Sequence, residues 1–237
     1  MFLTLPKEII IHEINKYLVE IDKQILRKVN IYFYSMFPFK QIFFDETDLE
    51  LVHIRRYQKF WTLNTMNNIA KKGDLECLKY LHSPPSGEPC QWNNWTPAYA
   101  ARGGHLRSLK YLHENGCPWD STTPALAAKY GQLECLKYAH SPGSGKPCPW
   151  DSATTVWAAS GGHLECLKYA HSPGSGEPCP WDSETTAYAA LNGNIQCLKY
   201  AHENGCSWNF LTITFSSTKD DKEHLECLKY ARENGCS

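Results

Sequence analysis

Apolar and polar positions recur in one order from residue 61 onward. The string LECLKY begins at Leu75, Leu133, Leu164 and Leu225, with variants at Leu106 (LRSLKY) and Ile195 (IQCLKY). Small apolar pairs precede it: Ala100-Ala101, Ala127-Ala128, Ala158-Ala159 and Ala189-Ala190. Polar residues and glycines separate the two blocks. In the unit that opens at Trp119, Asp120 to Thr123 supply capping side chains, and Pro124 suits a first helical turn. The pattern predicts a first helix over Ala125–Tyr130, a break at Gly131 and a second helix over Leu133–His140. Leu133, Leu136 and Tyr138 do not share one narrow stripe, so the second helix is expected to bury a broad face. Gly116, Gly205 and Gly235 stand where a left-handed helix cap needs glycine. Pro142 and Pro173 end the second helix in longer units.

Tryptophan marks the start of every unit: Trp61, Trp92, Trp119, Trp150, Trp181 and Trp208, at spacings of 31, 27, 31, 31 and 27 residues. The two lengths have one cause. Short units turn through His113-Glu114-Asn115-Gly116-Cys117, and long ones carry four extra residues, as in the run from His140 to Cys148. A pair of such short helices cannot bury its apolar faces alone, and stacked pairs share one core. The alanine pairs allow neighbouring helices to approach closely. An all-α solenoid of six helix pairs follows, over 61–237, with units at 61–91, 92–118, 119–149, 150–180, 181–207 and 208–237. The marker tryptophans are expected to bridge one unit to the next. The last unit lacks the Ala-Ala pair and has three extra residues before LECLKY, so it is either a terminal cap or the edge of an incomplete array.

The repeat resembles ankyrin, whose pattern runs TPLHxAAxxGH, an apolar second helix and a glycine turn. Thr122-Thr123-Pro124-Ala125-Leu126-Ala127-Ala128-Lys129-Tyr130-Gly131-Gln132 and Ala100-Ala101-Arg102-Gly103-Gly104-His105 carry the likeness. There are departures. Aligned on Ala-Ala, the Thr-Pro pair sits one residue late, and the family's His is Ala98, Ala125, Val156 or Ala187. The units are also shorter than the family's usual ~33 residues. The residues missing are those of ankyrin's β-hairpin finger, where Cys-Pro-Trp-Asp (Cys148 to Asp151) stands instead. Tight turns with little or no sheet are expected there. This Cys-x-Trp variant resembles the ankyrin-like proteins of large DNA viruses of amoebae.

Before Trp61 there is neither cysteine nor glycine. Helices are predicted from Pro6 through Leu18, from Asp22 over Ile25, Leu26 and Val29, and over Asn30–Phe37. Thr47 and Glu50, at capping-box spacing, open a linker helix through Lys59. The first three resemble an F-box: Leu5-Pro6-x-Glu8-Ile9-Ile10, Ile14, Tyr17-Leu18, Asp22, Leu26, Val29-Asn30 and Phe33-Tyr34 carry the likeness. The family's Cys-Arg after the Val is Asn30-Ile31 here. The expected organisation is an F-box-like module over 1–40, a linker helix over 41–60 and the repeats beyond. On the residues alone, a helical cap for the solenoid is the alternative.

Composition narrows the function classes. The chain has 237 residues with a formal net charge of −1, which removes the footprint of a general nucleic-acid binder. No apolar run reaches the ~18 residues of a membrane span. The segment MFLTLPKEII lacks a basic n-region and is interrupted by Lys7 and Glu8, so a cytoplasmic protein is expected, in a host cell if viral. The eleven cysteines fall into two repeat columns, Cys77, Cys135, Cys166, Cys197 and Cys227 (with Ser108 in the sixth place), and Cys90, Cys117, Cys148, Cys179, Cys206 and Cys236. They are expected to be reduced core thiols. Cys135, His140 and Cys148 recur with the repeat but lack the close ligand pair zinc needs. A Cys beside a His in every unit is periodicity, and no nucleophile-elbow, P-loop or dinucleotide motif occurs. No enzyme activity, metal or cofactor is expected. The His column (His82, His113, His140, His171, His202) is expected to meet free carbonyls at second-helix ends.

Binding is the function left. The F-box resemblance implies docking on the Skp-type adaptor of a cullin-RING ubiquitin ligase through Leu5, Pro6, Glu8, Ile9, Ile10 and Leu18. The repeats would hold a target protein, in a chain that is itself a monomer and binds neither nucleic acid nor membrane. Residues that vary between units at the ends of the first helices are the target-binding candidates: Lys71, Lys72, Arg102, Lys129, Tyr130, Leu191 and Asn192. The column Tyr99, Leu126, Trp157 and Tyr188 is either core or binding surface, and the ankyrin resemblance favours core. The constant Lys column (Lys79 to Lys229) is expected to be a solvated face. The rival function is a stand-alone ankyrin-like protein that masks or tethers a partner.

Overall fold

The computed structural model describes residues 63–83, 89–143, 145–174 and 176–236. The expected F-box-like module, the linker helix and Trp61 lie outside them. Twelve helices are described: α1 (Leu63–Lys72), α2 (Leu75–His82), α3 (Trp95–Arg102), α4 (Leu106–Glu114), α5 (Thr122–Lys129), α6 (Leu133–His140), α7 (Ser152–Gly161), α8 (Leu164–His171), α9 (Glu184–Leu191), α10 (Ile195–Glu203), α11 (Leu211–Ser216) and α12 (Lys222–Glu233). They are the six expected pairs, and no strand occurs among the described residues. Second helices begin where LECLKY begins, except in the last pair. First helices begin earlier than the pattern predicts: α5 starts at Thr122 and ends at Lys129. The Thr-Pro segment is therefore part of the helix, and Asp120 caps it by accepting from the Thr122 backbone N–H at 3.0 Å and from the Thr122 hydroxyl.

The chain divides into two compact units. The described part of the first comprises residues 63–69, 74–83 and 89–92. Met66, Ile69, Cys77, Leu78 and Leu81 are its buried core, and the Asp74 side chain caps α2 by accepting from the Cys77 backbone N–H.

The second unit comprises Ala70–Gly73 and residues from Asn93 onward. Within it α3, α5, α7, α9 and α11 pack side by side in one row, and α4, α6, α8, α10 and α12 in another. The alanine pairs of α3, α5, α7 and α9 are fully buried between the helices of the first row, where any larger side chain would hold the backbones apart. Leu109, Leu136, Leu167 and Leu198 fill the space behind them.

The turns explain how units of two lengths stack in register. Cys117 donates its backbone N–H to the Leu112 carbonyl at 2.9 Å, the wide bond of a Schellman cap, with Gly116 left-handed at φ 80°. Cys148, in a longer turn, donates to the Ala139 carbonyl at 2.8 Å, the equivalent acceptor. The four extra residues loop out before the chain returns to the same hydrogen bond.

The last pair differs where the sequence does. The three extra residues lengthen α12 at its start, and Asp221 caps it by accepting from the His224 backbone N–H at 2.9 Å.

Candidate interaction surface

Four second helices, α4, α6, α8 and α10, end in an aromatic relay to the next unit. His140 stacks on Trp150 with ring centroids 3.9 Å apart, and its Nδ1 lies 3.1 Å from the Tyr169 hydroxyl. His113 does the same with Trp119 and Tyr138, His171 with Trp181 and Tyr200, and His202 with Trp208 and Tyr230. Within the first unit, His82 stacks on Trp92. This corrects the expected role of the His column. The imidazoles stand at helix ends, but their partners are indoles and tyrosine hydroxyls and not free carbonyls. Burial holds the pKa of His82, His113 and His140 below the ordinary histidine value. Trp119, Trp150, Trp181 and Trp208 bridge units as expected.

The cysteines are free, buried thiols. Those of the turn column also bind. Cys117, Cys148, Cys179 and Cys206 point their S–H groups at the carbonyls of Asn93, Asp120, Asp151 and Asp182 at the start of their own units, at 2.8–3.5 Å. His140 and Cys148 therefore serve different partners. Among the described residues no group of His, Cys, Asp or Glu side chains is arranged to hold a metal ion.

A further column was not singled out in the sequence: the polar residue before each LECLKY-type string. His105 Nε2 lies 3.0 Å from the Lys71 carbonyl. Asn194 donates from Nδ2 to the Ala159 and Ser160 carbonyls, and His224 Nε2 lies 2.9 Å from the Leu191 carbonyl. These side chains tie the end of one first helix to the next unit. The signal was present, since the position before LECLKY is polar in every unit.

The Lys column is not simply solvated. Lys79, Lys137 and Lys168 pair with Glu76, Glu134 and Glu165 one turn earlier, at 2.8–3.1 Å. Lys110 and Lys199 have Arg107 and Gln196 at that place, and each lies over a tyrosine ring of the next unit, Tyr138 and Tyr230.

The remaining surface is the first-helix row. Tyr99, Leu126, Trp157, Tyr188 and Phe215 occupy one column and are half-buried, so the rings serve as core on one side and as surface on the other. Trp157, Tyr188 and Phe215 follow one another with centroids 6.2 and 6.3 Å apart. Trp95 and Tyr130 extend the stripe and are exposed at 44% and 38%. Tyr130 is itself a target-binding candidate, and two more, Arg102 and Lys129, sit beside the stripe. The Arg102 guanidinium lies 4.5 Å from the Tyr130 ring centroid, and the Lys129 ammonium 3.8 Å from that of Trp157. Lys71 and Lys72 are exposed at the end of α1. Leu191 and Asn192 are engaged internally: the Leu191 carbonyl faces His224, and Asn192 Nδ2 donates to the Tyr188 carbonyl and the Ser160 hydroxyl. Gly161, between them and Lys129, has a packing role, since an added Cβ would meet the Lys129 carbonyl at 2.3 Å. The adaptor-binding candidates Leu5, Pro6, Glu8, Ile9, Ile10 and Leu18 lie outside the described residues.

By sequence, no family model and no curated protein matches the chain. Among solved structures, the crystal structure of the human ASB11 ankyrin repeat domain is similar, with a TM-score of 0.49 at 19% identity over 70% of this chain and 82% of that one.

Proposed function

We propose that this chain is a protein-interaction scaffold, and that it works as a substrate receptor linking a target protein to a Skp-cullin-type ubiquitin ligase. One observation carries the scaffold reading. The constant Leu, Cys, Trp and Tyr residues hold the stack together, whereas the first-helix row presents a half-exposed aromatic stripe whose residues change from unit to unit. A fixed frame with a varying, aromatic-rich face is the composition of a binding surface. The side chains described make no catalytic constellation: the cysteines are buried, and the histidines engage indoles, tyrosines or backbone carbonyls.

The ligase role rests on the sequence of the N-terminal segment. Leu5-Pro6-x-Glu8-Ile9-Ile10 and Tyr17-Leu18 are the residues that resemble an F-box, and a receptor joins such a module to a target-holding array. Co-purification from cytosol, read by mass spectrometry, tests both levels. Adaptor and cullin together with further proteins support the receptor. Partner proteins without adaptor or cullin leave the scaffold and remove the ligase. Recovery of the chain alone removes both.

A further inference from the structure

We infer that the first-helix row takes an extended, acidic peptide segment bearing apolar side chains; this rests on the scaffold reading above. The net charge of −1 conceals a segregation of charge. The last turns of α1, α3 and α5 carry Lys71, Lys72, Arg102 and Lys129. Among the described first helices the one acidic residue is Glu184, in the first turn of α9, at the opposite end.

Lys71, Arg102 and Lys129 also differ from Lys79, Lys137 and Lys168 in how they are held. On the second helices Lys79, Lys137 and Lys168 are neutralised by glutamates of their own helix. None of the ion pairs among the described residues involves Lys71, Arg102 or Lys129. Arg102 and Lys129 instead reach across to the rings of Tyr130 and Trp157 in the next unit. A ring face fixes a cation in place without cancelling its charge. The result is a pair of oriented positive charges beside Trp95, Tyr99, Leu126 and Trp157, and it calls for carboxylates interleaved with apolar side chains.

Positive charge and aromatic rings together also describe a single-stranded nucleic-acid surface. That surface needs open ring faces on which bases stack. Here Lys129 and Arg102 cover the faces of Trp157 and Tyr130, and the neighbouring rings of Tyr188 and Phe215 meet at 61°. The face offers edges and fixed charges, which suit a peptide.

Selection of a displayed random dodecapeptide library on the full chain tests the inference. The peptides retained are expected to be enriched in Asp and Glu alongside Leu, Phe or Trp. On the chain with Arg102→Gln and Lys129→Gln, checked for an unchanged melting temperature, the acidic enrichment is expected to disappear. A synthetic copy of the most enriched peptide should bind that variant about tenfold or more weakly, and weaken with salt, as charge pairs at an interface do. Lys137→Gln with Lys168→Gln, on the second helices, should bind it as the native chain does. Enrichment of neutral or basic peptides, acidic enrichment that survives the double substitution, or no enrichment would each overturn the acidic-peptide inference. So would tighter binding of a single-stranded oligothymidine than of the selected peptide. The scaffold reading would fall only if no protein co-purified from cytosol.

Discussion

The His140 imidazole lies flat on the Trp150 indole, with centroids 3.9 Å apart and 16° between the ring planes. His140 ends one second helix, and Trp150 opens the following unit. The same indole meets Tyr169 of that unit edge-on, at 6.3 Å. One tryptophan thus joins two successive second helices, and its loss opens both contacts. Trp150→Ala is expected to cost about 3 kcal/mol, at the low end for a large aromatic because the ring is half-buried. Urea unfolding checks this, and a change below about 1 kcal/mol would show that the relay adds little.

The relay gives the array a pH dependence of definite sign. Burial lowers the pKa of His82, His113 and His140 in the folded chain. The unfolded chain, with histidines titrating near ~6.5, therefore binds more protons as the solution is acidified. The stability these groups contribute is fully present above ~6.5 and is lost as pH falls through that value toward the folded pKa. The melting temperature should drop between pH 7.5 and pH 5, before most carboxylates titrate. Replacing His140 by Asn should flatten the profile. A melting temperature that held or rose on acidification would contradict the account.

The thiols should be silent. Burial pushes Cys117, Cys135, Cys179, Cys197 and Cys227 up to about 12, and Cys90, Cys166 and Cys206 up to about 11. A thiol so far above neutral pH carries almost no thiolate. A disulfide-exchange reagent at pH 8 should label the native chain slowly and the urea-unfolded chain at once. Melts with dithiothreitol or with EDTA should superimpose on melts without. A large drop with either reagent would mean that a disulfide or a metal holds the array.

The repeat made the second helices legible to the residue, since Leu133–His140 is set by an apolar string and a following stop. The first helices were legible in place but not in extent. Asp120 to Thr123 reads as the cap, and Asp120 does cap, but the helix already begins at Thr122 and takes in the Thr-Pro segment. The cysteines read as core, and they are, but a composition pattern carries no direction, so the Cys148 thiol aimed at the Asp120 carbonyl was invisible. The His column misled for the same reason. A position at a helix end suggests carbonyl partners, and only the packing shows that His140 has Trp150 above it. On the candidate surface, Arg102, Lys129 and Tyr130 stand together because the stack brings consecutive units side by side. Variation between units cannot separate such residues from Asn192, which also varies and whose amide donates to Tyr188 and Ser160 of its own chain.

The receptor role depends on the N-terminal segment, and one binding measurement reaches it. Purified full chain is titrated with a purified Skp-type adaptor by calorimetry, in parallel with the Leu5→Ala, Pro6→Ala double variant. Two interface anchors at about 2 kcal/mol each correspond to a loss of roughly a thousandfold. The account predicts that the native chain binds, that the variant's affinity falls by that order, and that the two melting temperatures agree. A native chain that does not bind the adaptor, with a variant that melts well below it, would contradict the receptor and make the segment a cap on the array.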